Sequence, residues 1–307
     1  MRHALRFLVI TAPNAPWSEL LRRYRTIESL GFDVAAVADH FVDWSGASGT
    51  WFEGWTLLTA IAAHTSRIRL AMLVSQIPLR NPALLAHQAL TVDHISNGRL
   101  ELGLGLGLPT DPSCEMMGLP NWTNRERAAR FKEYVEIVDR LLSQEVTTYQ
   151  GQYYAVDAAV MDPRPVQTPR PPITIAAMGP VMLRRAAEYA DTWNSVSGAS
   201  SFDAQLAETR ERCRLIDEHC VAIGRDPGSL RRSHLLVDAA MRQNGGWIDH
   251  YQATDVFVDR ARRLIELGIS EIGVHYPRRD EQMLMFEKIA TEVIPALKAE
   301  GAARWGA

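Results

Sequence analysis

The sequence predicts an α/β chain of the (β/α)8 class, a closed ring of parallel strands with insertions in its βα loops, and three observations carry that prediction. Apolar runs such as Phe7-Leu8-Val9-Ile10-Thr11 and Ile68-Arg69-Leu70-Ala71-Met72-Leu73-Val74 barely alternate, as expected of strands covered on both faces. About eight strands are each followed by a segment of helical spacing. A length of 307 residues with 47% hydrophobic content suits one barrel domain over 1–307, and no repeat of tens of residues suggests a solenoid.

Phe7 to Thr11 is the first strand, closed by Pro13 and Pro16. Ser18 caps a helix with Leu20, Leu21, Tyr24, Ile27 and Leu30 on one face, and Gly31 ends it. Asp33 to Ala38 forms strand two, with Asp39-His40-Phe41 at its carboxyl end. Trp55 to His64 is the next helix. Ile68 to Val74 then gives strand three, and Asn81 with Pro82 opens a helix that Asn97-Gly98 stops in the left-handed region. Leu100 to Leu104 is strand four, and Gly103, Gly105 and Gly107 leave its carboxyl end bare, which reads as room for a flat ring.

Leu108 to Thr123 is long for a connection, so it is a functional or a disordered loop. Asn124 caps a helix to about Gln144. A hairpin around Gly151 and the proline-rich stretch Pro163 to Pro172 then read as an insertion at about 145–172. Ile173 to Ala176, Asp191 to Asn194, Leu235 to Val237 and Glu271 to His275 are strands five to eight, with a closing helix to about Glu300.

Lys and Arg number 33 against 36 Asp and Glu, a net charge of −3 without long runs of one sign, which argues against a nucleic-acid partner. Three cysteines without paired spacing fit a reducing cytoplasm, and no apolar run has membrane-spanning length. A soluble cytoplasmic protein is expected.

In such a barrel the carboxyl rim is the working face, so Asp39, His40, Gln76, Met178 to Val181, Asn194, Asp238 and His275 are candidates by position. A lone His at a strand end serves either as a hydrogen-bonded structural group or as an acid–base group, and spacing leaves both open. Adjacent strand residues point to opposite faces, so Asp39 and His40 make no dyad unless the strand has already bent. Met178-Gly179-Pro180-Val181 opens a helix whose amides suit a phosphate, or is an ordinary tight connection. Trp44, Trp51 and Trp55 form an aromatic wall or core packing. No His-Glu-x-x-His, P-loop or nucleophile elbow is present, and metal binding is not expected.

Several of these segments resemble the bacterial luciferase-like monooxygenase family, in particular its branch using the deazaflavin coenzyme F(420). The resemblance rests on Leu30-Gly31-Phe32-Asp33, Ala38-Asp39-His40-Phe41, Arg80 to Ala86, Ile95 to Gly105, Pro163 to Gln167 and Ala186 to Asn194. It implies a TIM barrel that binds a flavin or deazaflavin at the carboxyl rim, often in a homodimer. It places Asp39 and His40 at the ring, with Trp44 matching Asp-His-Phe-x-x-Trp and assisting His40 in catalysis. It also implies a non-prolyl cis peptide near Leu73-Val74 under the ring and a cofactor phosphate on Met178, Gly179, Pro180 and Val181. Gln76 and Gly107, at the same rim, complete the expected cofactor contacts.

In the sugar-phosphate dehydrogenase of that branch an acid directly follows the glycine strand end, where this chain has Leu108, with Asp111 and Glu115 nearest. The lysine that grips the sugar phosphate is absent around Gly198-Ala199-Ser200. A less anionic substrate is therefore expected. The expected activity is hydride transfer between F(420) and a small organic substrate. The alternatives are an FMN-dependent monooxygenase and a flavin-binding protein without turnover.

Overall fold

The computed structural model describes residues 3–43, 49–241 and 243–305. Ten strands occur among them, and eight close into a parallel barrel. In chain order these are β1 (Arg6–Thr11), β2 (Val34–Val37), β3 (Arg69–Gln76), β4 (Leu100–Gly105), the hairpin strands β5 (Val146–Gln150) and β6 (Ala155–Val160), then β7 (Ile173–Ala176), β8 (Thr192–Val196), β9 (Arg231–Leu235) and β10 (Glu271–His275). The barrel order is β1-β10-β9-β8-β7-β4-β3-β2, and β5 pairs only with β6.

The helices are α1 (Trp17–Ser29), α2 (Gly54–His64), α3 (Pro82–Ile95), α4 (Ser113–Met116), α5 (Asn124–Ser143), α6 (Pro180–Tyr189), α7 (Phe202–Ala222), α8 (Thr254–Glu266), α9 (Met283–Lys288) and α10 (Ile294–Trp305). The closing helix is thus two helices joined by a π-wound turn at Ile289–Val293. No helix among the described residues is long and apolar enough to cross a membrane.

The chain divides into two compact units. One comprises 1–11, 26–35 and 177–307. It contains the parallel ladder β1-β10-β9-β8, with Val9 opposite Val274 and Asn194 opposite Ser233. β9 lies earlier than the apolar triplet Leu235-Leu236-Val237 suggests. Its residues Arg231 to His234 are polar but each meets a partner outside the strand: Arg231 donates to Ala4 O at 3.0 Å, Arg232 pairs with Asp217, Ser233 accepts from Asn194, and Thr209 lies 3.4 Å from the buried His234 ring. Pairing hid the strand from a hydrophobicity reading.

The other unit comprises 12–25 and 36–176 and contains the ladder β3-β4-β7. Asn81 caps α3 through Ala83 N (2.8 Å), Pro82 takes its first position, and Asn97 and Gly98 (φ 55° and 78°) turn the chain out of it into β4. α5 buries Phe131, Tyr134, Val135, Ile137, Val138, Leu141 and Leu142, an i, i+3, i+4 stripe. The hairpin is tied to α5 by Glu133, whose carboxylate accepts from the amides of Gln152, Tyr153 and Tyr154 at 2.9, 2.9 and 3.1 Å. A Cβ on Gly151 would lie 2.3 Å from that carboxylate, which explains the glycine at the turn. The connector holds cis Asp162-Pro163 and Thr168-Pro169 bonds.

Candidate functional site

The second unit gathers a polar cluster just past the carboxyl ends of β2, β3 and β4. His40 Nδ1 lies 2.6 Å from Asp111 Oδ2. Gln76 Nε2 is 2.8 Å from Asp39 O, 2.9 Å from Asp111 Oδ2 and 2.9 Å from His40 Nδ1. Gln76 has two amide hydrogens, and Asp39 O and Asp111 Oδ2 are the two pure acceptors in reach. The third approach is therefore not a hydrogen bond. The same carboxylate oxygen takes the proton of His40 Nδ1, which fixes the tautomer. Ser113 N donates to the other oxygen, Oδ1, at 2.9 Å, and Ser113 Oγ accepts from Phe41 N at 3.0 Å. The loop after β4 is thereby stitched to the loop after β2.

Asp111 has a side chain only 2% exposed, against 23% for His40. Burial alone would raise its pKa, but hydrogen bonds from His40, Ser113 and Gln76 outweigh that and hold it below the ordinary carboxylate range. A depressed folded-state pKa adds stability above the unfolded value of about 4, and the addition is lost as pH falls through the folded value. Urea unfolding of wild type and Asp111→Asn should accordingly show a stability gap at neutral pH that narrows below about pH 4. A gap independent of pH would refute the charged assignment.

Asp39 does not join His40. Its carboxylate turns to Arg80, with Nη2 3.0 Å from Oδ1 and Nη1 on Oδ2. Burial would lower the pKa of Arg80, but the bonds to Asp39 more than offset it and the net shift is upward. Arg80 Nη2 also lies 3.3 Å from Glu53, which caps α2 through Trp55 N and Thr56 N. Asp39 thus anchors β2 to the start of α2 and offers its carbonyl to Gln76. Of the three tryptophans, Trp51 stands edge-on to His40 with ring centroids 6.1 Å apart and donates from Nε1 to His40 O at 2.8 Å. Trp55 is core, 1% exposed, and donates to Ser75 Oγ at 3.0 Å. Trp44 lies outside the described residues.

The bare glycines of β4 have a different cause from the one the sequence suggests. β3 shifts register between Met72 and Ser75, and the Leu73-Val74 peptide there is cis and non-prolyl, at the expected place. A Cβ on Gly103 would lie 2.0 Å from Met72 O and 3.0 Å from Val74 Cγ1, and one on Gly105 would lie 2.4 Å from Val74 Cγ2. The glycines make room for the bent neighbouring strand, not for a ring. Gly107 (φ 67°) faces Gln76 Oε1, 2.4 Å from where a Cβ would stand. Leu73 and Val74 are only half-buried, unusual for the middle of a barrel strand, so this stretch offers surface to a ligand.

Arg127 on α5 escaped the sequence reading altogether. Its guanidinium is fully buried and spans the loop after β4, donating to Leu106 O and Trp122 O at 2.9 Å and to Asn121 Oδ1 at 2.8 Å, with Cys114 Sγ at 3.8 Å. The loop that carries Asp111 is therefore ordered around an arginine and contains α4. Helical spacing gave no sign of this, since an arginine on an amphipathic helix reads as solvated.

In the first unit, Gly179 precedes α6 with Pro180 at the first position and no side-chain cap. Met178 and Val181 are exposed, and a Cβ at Gly179 would meet nothing within 4 Å. This open helix start suits an anion. Asn194 donates to Ser233 Oγ at 2.9 Å, Asp238 accepts from Ala240 N and Asp249 N at 2.8 and 3.0 Å, and His275 O accepts from Tyr251 at 2.7 Å, so these candidates also have structural partners. No cluster of metal-ligating side chains occurs among the described residues.

The chain belongs to the luciferase-like monooxygenase family, whose model matches residues 6–271. Two relatives are F(420)-dependent glucose-6-phosphate dehydrogenases. That of Segniliparus rotundus is 33% identical over 69% of this chain and 62% of its own length, and that of Intrasporangium calvum is 26% identical over 91% and 95%. The coenzyme F(420)-dependent tetrahydromethanopterin reductase of Methanopyrus kandleri has the same fold, with a TM-score of 0.76, 21% identity, and coverage of 95% of this chain and 99% of that one.

Proposed function

We propose that this chain transfers a hydride between coenzyme F(420) and a small organic substrate, with His40 moving the accompanying proton. It is a luciferase-like oxidoreductase of the F(420)-dependent kind. The observation that carries the reading is the buried Asp111 carboxylate against His40 Nδ1 at a barrel rim, because it holds the imidazole in one tautomer with Nε2 as the exchanging nitrogen. When bound, the deazaflavin supplies or accepts the hydride.

The chain's own groups have separable tasks. Leu73 and Val74 would support the ring, with Asp39, Gln76 and Gly107 beside them, and Met178, Gly179, Pro180 and Val181 would be the residues to receive a phosphate. Trp44, assigned through the Asp-His-Phe-x-x-Trp match, steadies developing charge. His40 Nε2 protonates a substrate oxygen as hydride reaches the adjacent carbon, or removes that proton in the reverse direction. Asp111, itself held by Gln76, keeps the imidazole from rotating meanwhile.

An FMN monooxygenase is the weaker reading, since sequence relatives of this chain carry F(420)-dependent names. The test is to titrate the purified protein separately with F(420) and FMN, then follow turnover with and without dioxygen. F(420) should bind the more tightly and turnover should persist anaerobically. Preferential FMN binding with dioxygen consumption would replace this reading with its rival. The reading extends to a cytoplasmic homodimer that acts on small molecules and not on nucleic acid, and sedimentation at micromolar concentration checks the dimer.

A further inference from the structure

We infer that the substrate this site accepts is an uncharged, largely apolar carbonyl compound or alcohol, an inference that rests on the proposed hydride transfer. The two loops stitched together around His40 expose an unusual set of large apolar side chains. Phe41 and Phe52 come from the loop after β2, and Leu108, Met116 and Met117 from the loop after β4, each between 39% and 53% exposed. Single exposed apolar residues are ordinary, but a group of them around a candidate acid–base residue marks a surface that a ligand covers. The loops are in mutual contact through His40 with Asp111 and Phe41 N with Ser113 Oγ, so the two segments that bear these side chains meet at His40.

Charge points the same way. Residues 38–66 and 105–123 contain no Lys or Arg. Arg80, the cation next to them on the β3 side, is held by Asp39 and Glu53, and the Arg127 guanidinium is fully buried under the loop on backbone oxygens. Glu115 adds an exposed carboxylate. A carboxylate or phosphate held by these two loops would lose water without gaining a cation from either of them, whereas a ketone or alcohol oxygen needs only the one proton that His40 handles.

The decisive experiment uses the full chain loaded with F(420), whose binding is confirmed first by its own fluorescence. Calorimetric titration with acetophenone, with benzoate as its flat anionic counterpart, and with glucose 6-phosphate should give acetophenone binding at least about tenfold tighter than benzoate and no measurable heat from the sugar phosphate. Leu108→Lys, at an exposed position, should shrink the acetophenone-to-benzoate preference by about tenfold while F(420) still binds. Equal binding of either anion, no binding of acetophenone, or an unchanged preference in Leu108→Lys would overturn the inference. Failure to bind F(420) would instead count against the proposed function, and the acetophenone and benzoate comparison on the unloaded chain would then decide the substrate class by itself.

Discussion

His40→Ala should lower kcat by about 10² to 10⁴ while leaving F(420) affinity within about threefold of wild type. The reasoning is geometric. The imidazole is 23% exposed, is backed by a carboxylate that remains charged, and is held edge-on by Trp51, an arrangement that orients a proton carrier. The backbone around it is also fixed through Asp39 O to Gln76, His40 O to Trp51 and Phe41 N to Ser113, so losing the ring removes one of several ties. Asp111→Asn should cost less, about 10- to 100-fold, since Nε2 survives and only its orientation and charge support are weakened. Single-turnover rates separate the two effects from product release. If His40→Ala turns over at the wild-type rate, proton transfer belongs to another group and the assignment fails.

Gly103→Ala should destabilise the fold by about 3 kcal/mol or more, or prevent folding, although the position lies in a strand and alanine is the smallest change available. The added methyl would sit 2.0 Å from the Met72 carbonyl oxygen, a backbone atom that cannot swing aside. At Gly105 the first contact is the Val74 side chain at 2.4 Å, so Gly105→Ala combined with Val74→Ala should recover part of what Gly105→Ala alone loses. No such rescue should reach Gly103→Ala through Val74. Urea midpoints of the two single variants and of each combined with Val74→Ala decide the matter, and a Gly103→Ala protein within about 0.5 kcal/mol of wild type would show that the two strands are not packed as described.

These two sites also show where sequence reading succeeds and where it stops. Unbroken apolar runs revealed most barrel strands, because double-sided burial is a local property of each strand. β9 was shifted, since Arg232, Ser233 and His234 are reconciled with burial only by partners on other elements. His40 was legible from its place after β2, but its partner Asp111 lies 71 residues away, and nothing local distinguishes it from Glu115, which points to solvent. The alternate glycines were visible as a pattern and misread in cause: the Cβ they lack is excluded by a neighbouring strand whose bend no composition reveals. The family resemblance, not spacing, located the cis bond at Leu73-Val74.

Arg127 leaves one further consequence. It holds the two ends of the span from Leu106 to Trp122 by main-chain oxygens, which every amino acid supplies, and takes Asn121 and Cys114 as its side-chain partners between them, so the exposed positions of the span can change in sequence without touching this clamp. On the substrate reading proposed above, substitutions at Leu108, Met116 and Met117 would retune what the enzyme accepts while Asp111 stays aimed at His40. The chain thus carries a loop whose exposed face is exchangeable and whose two ends are clamped by one buried cation.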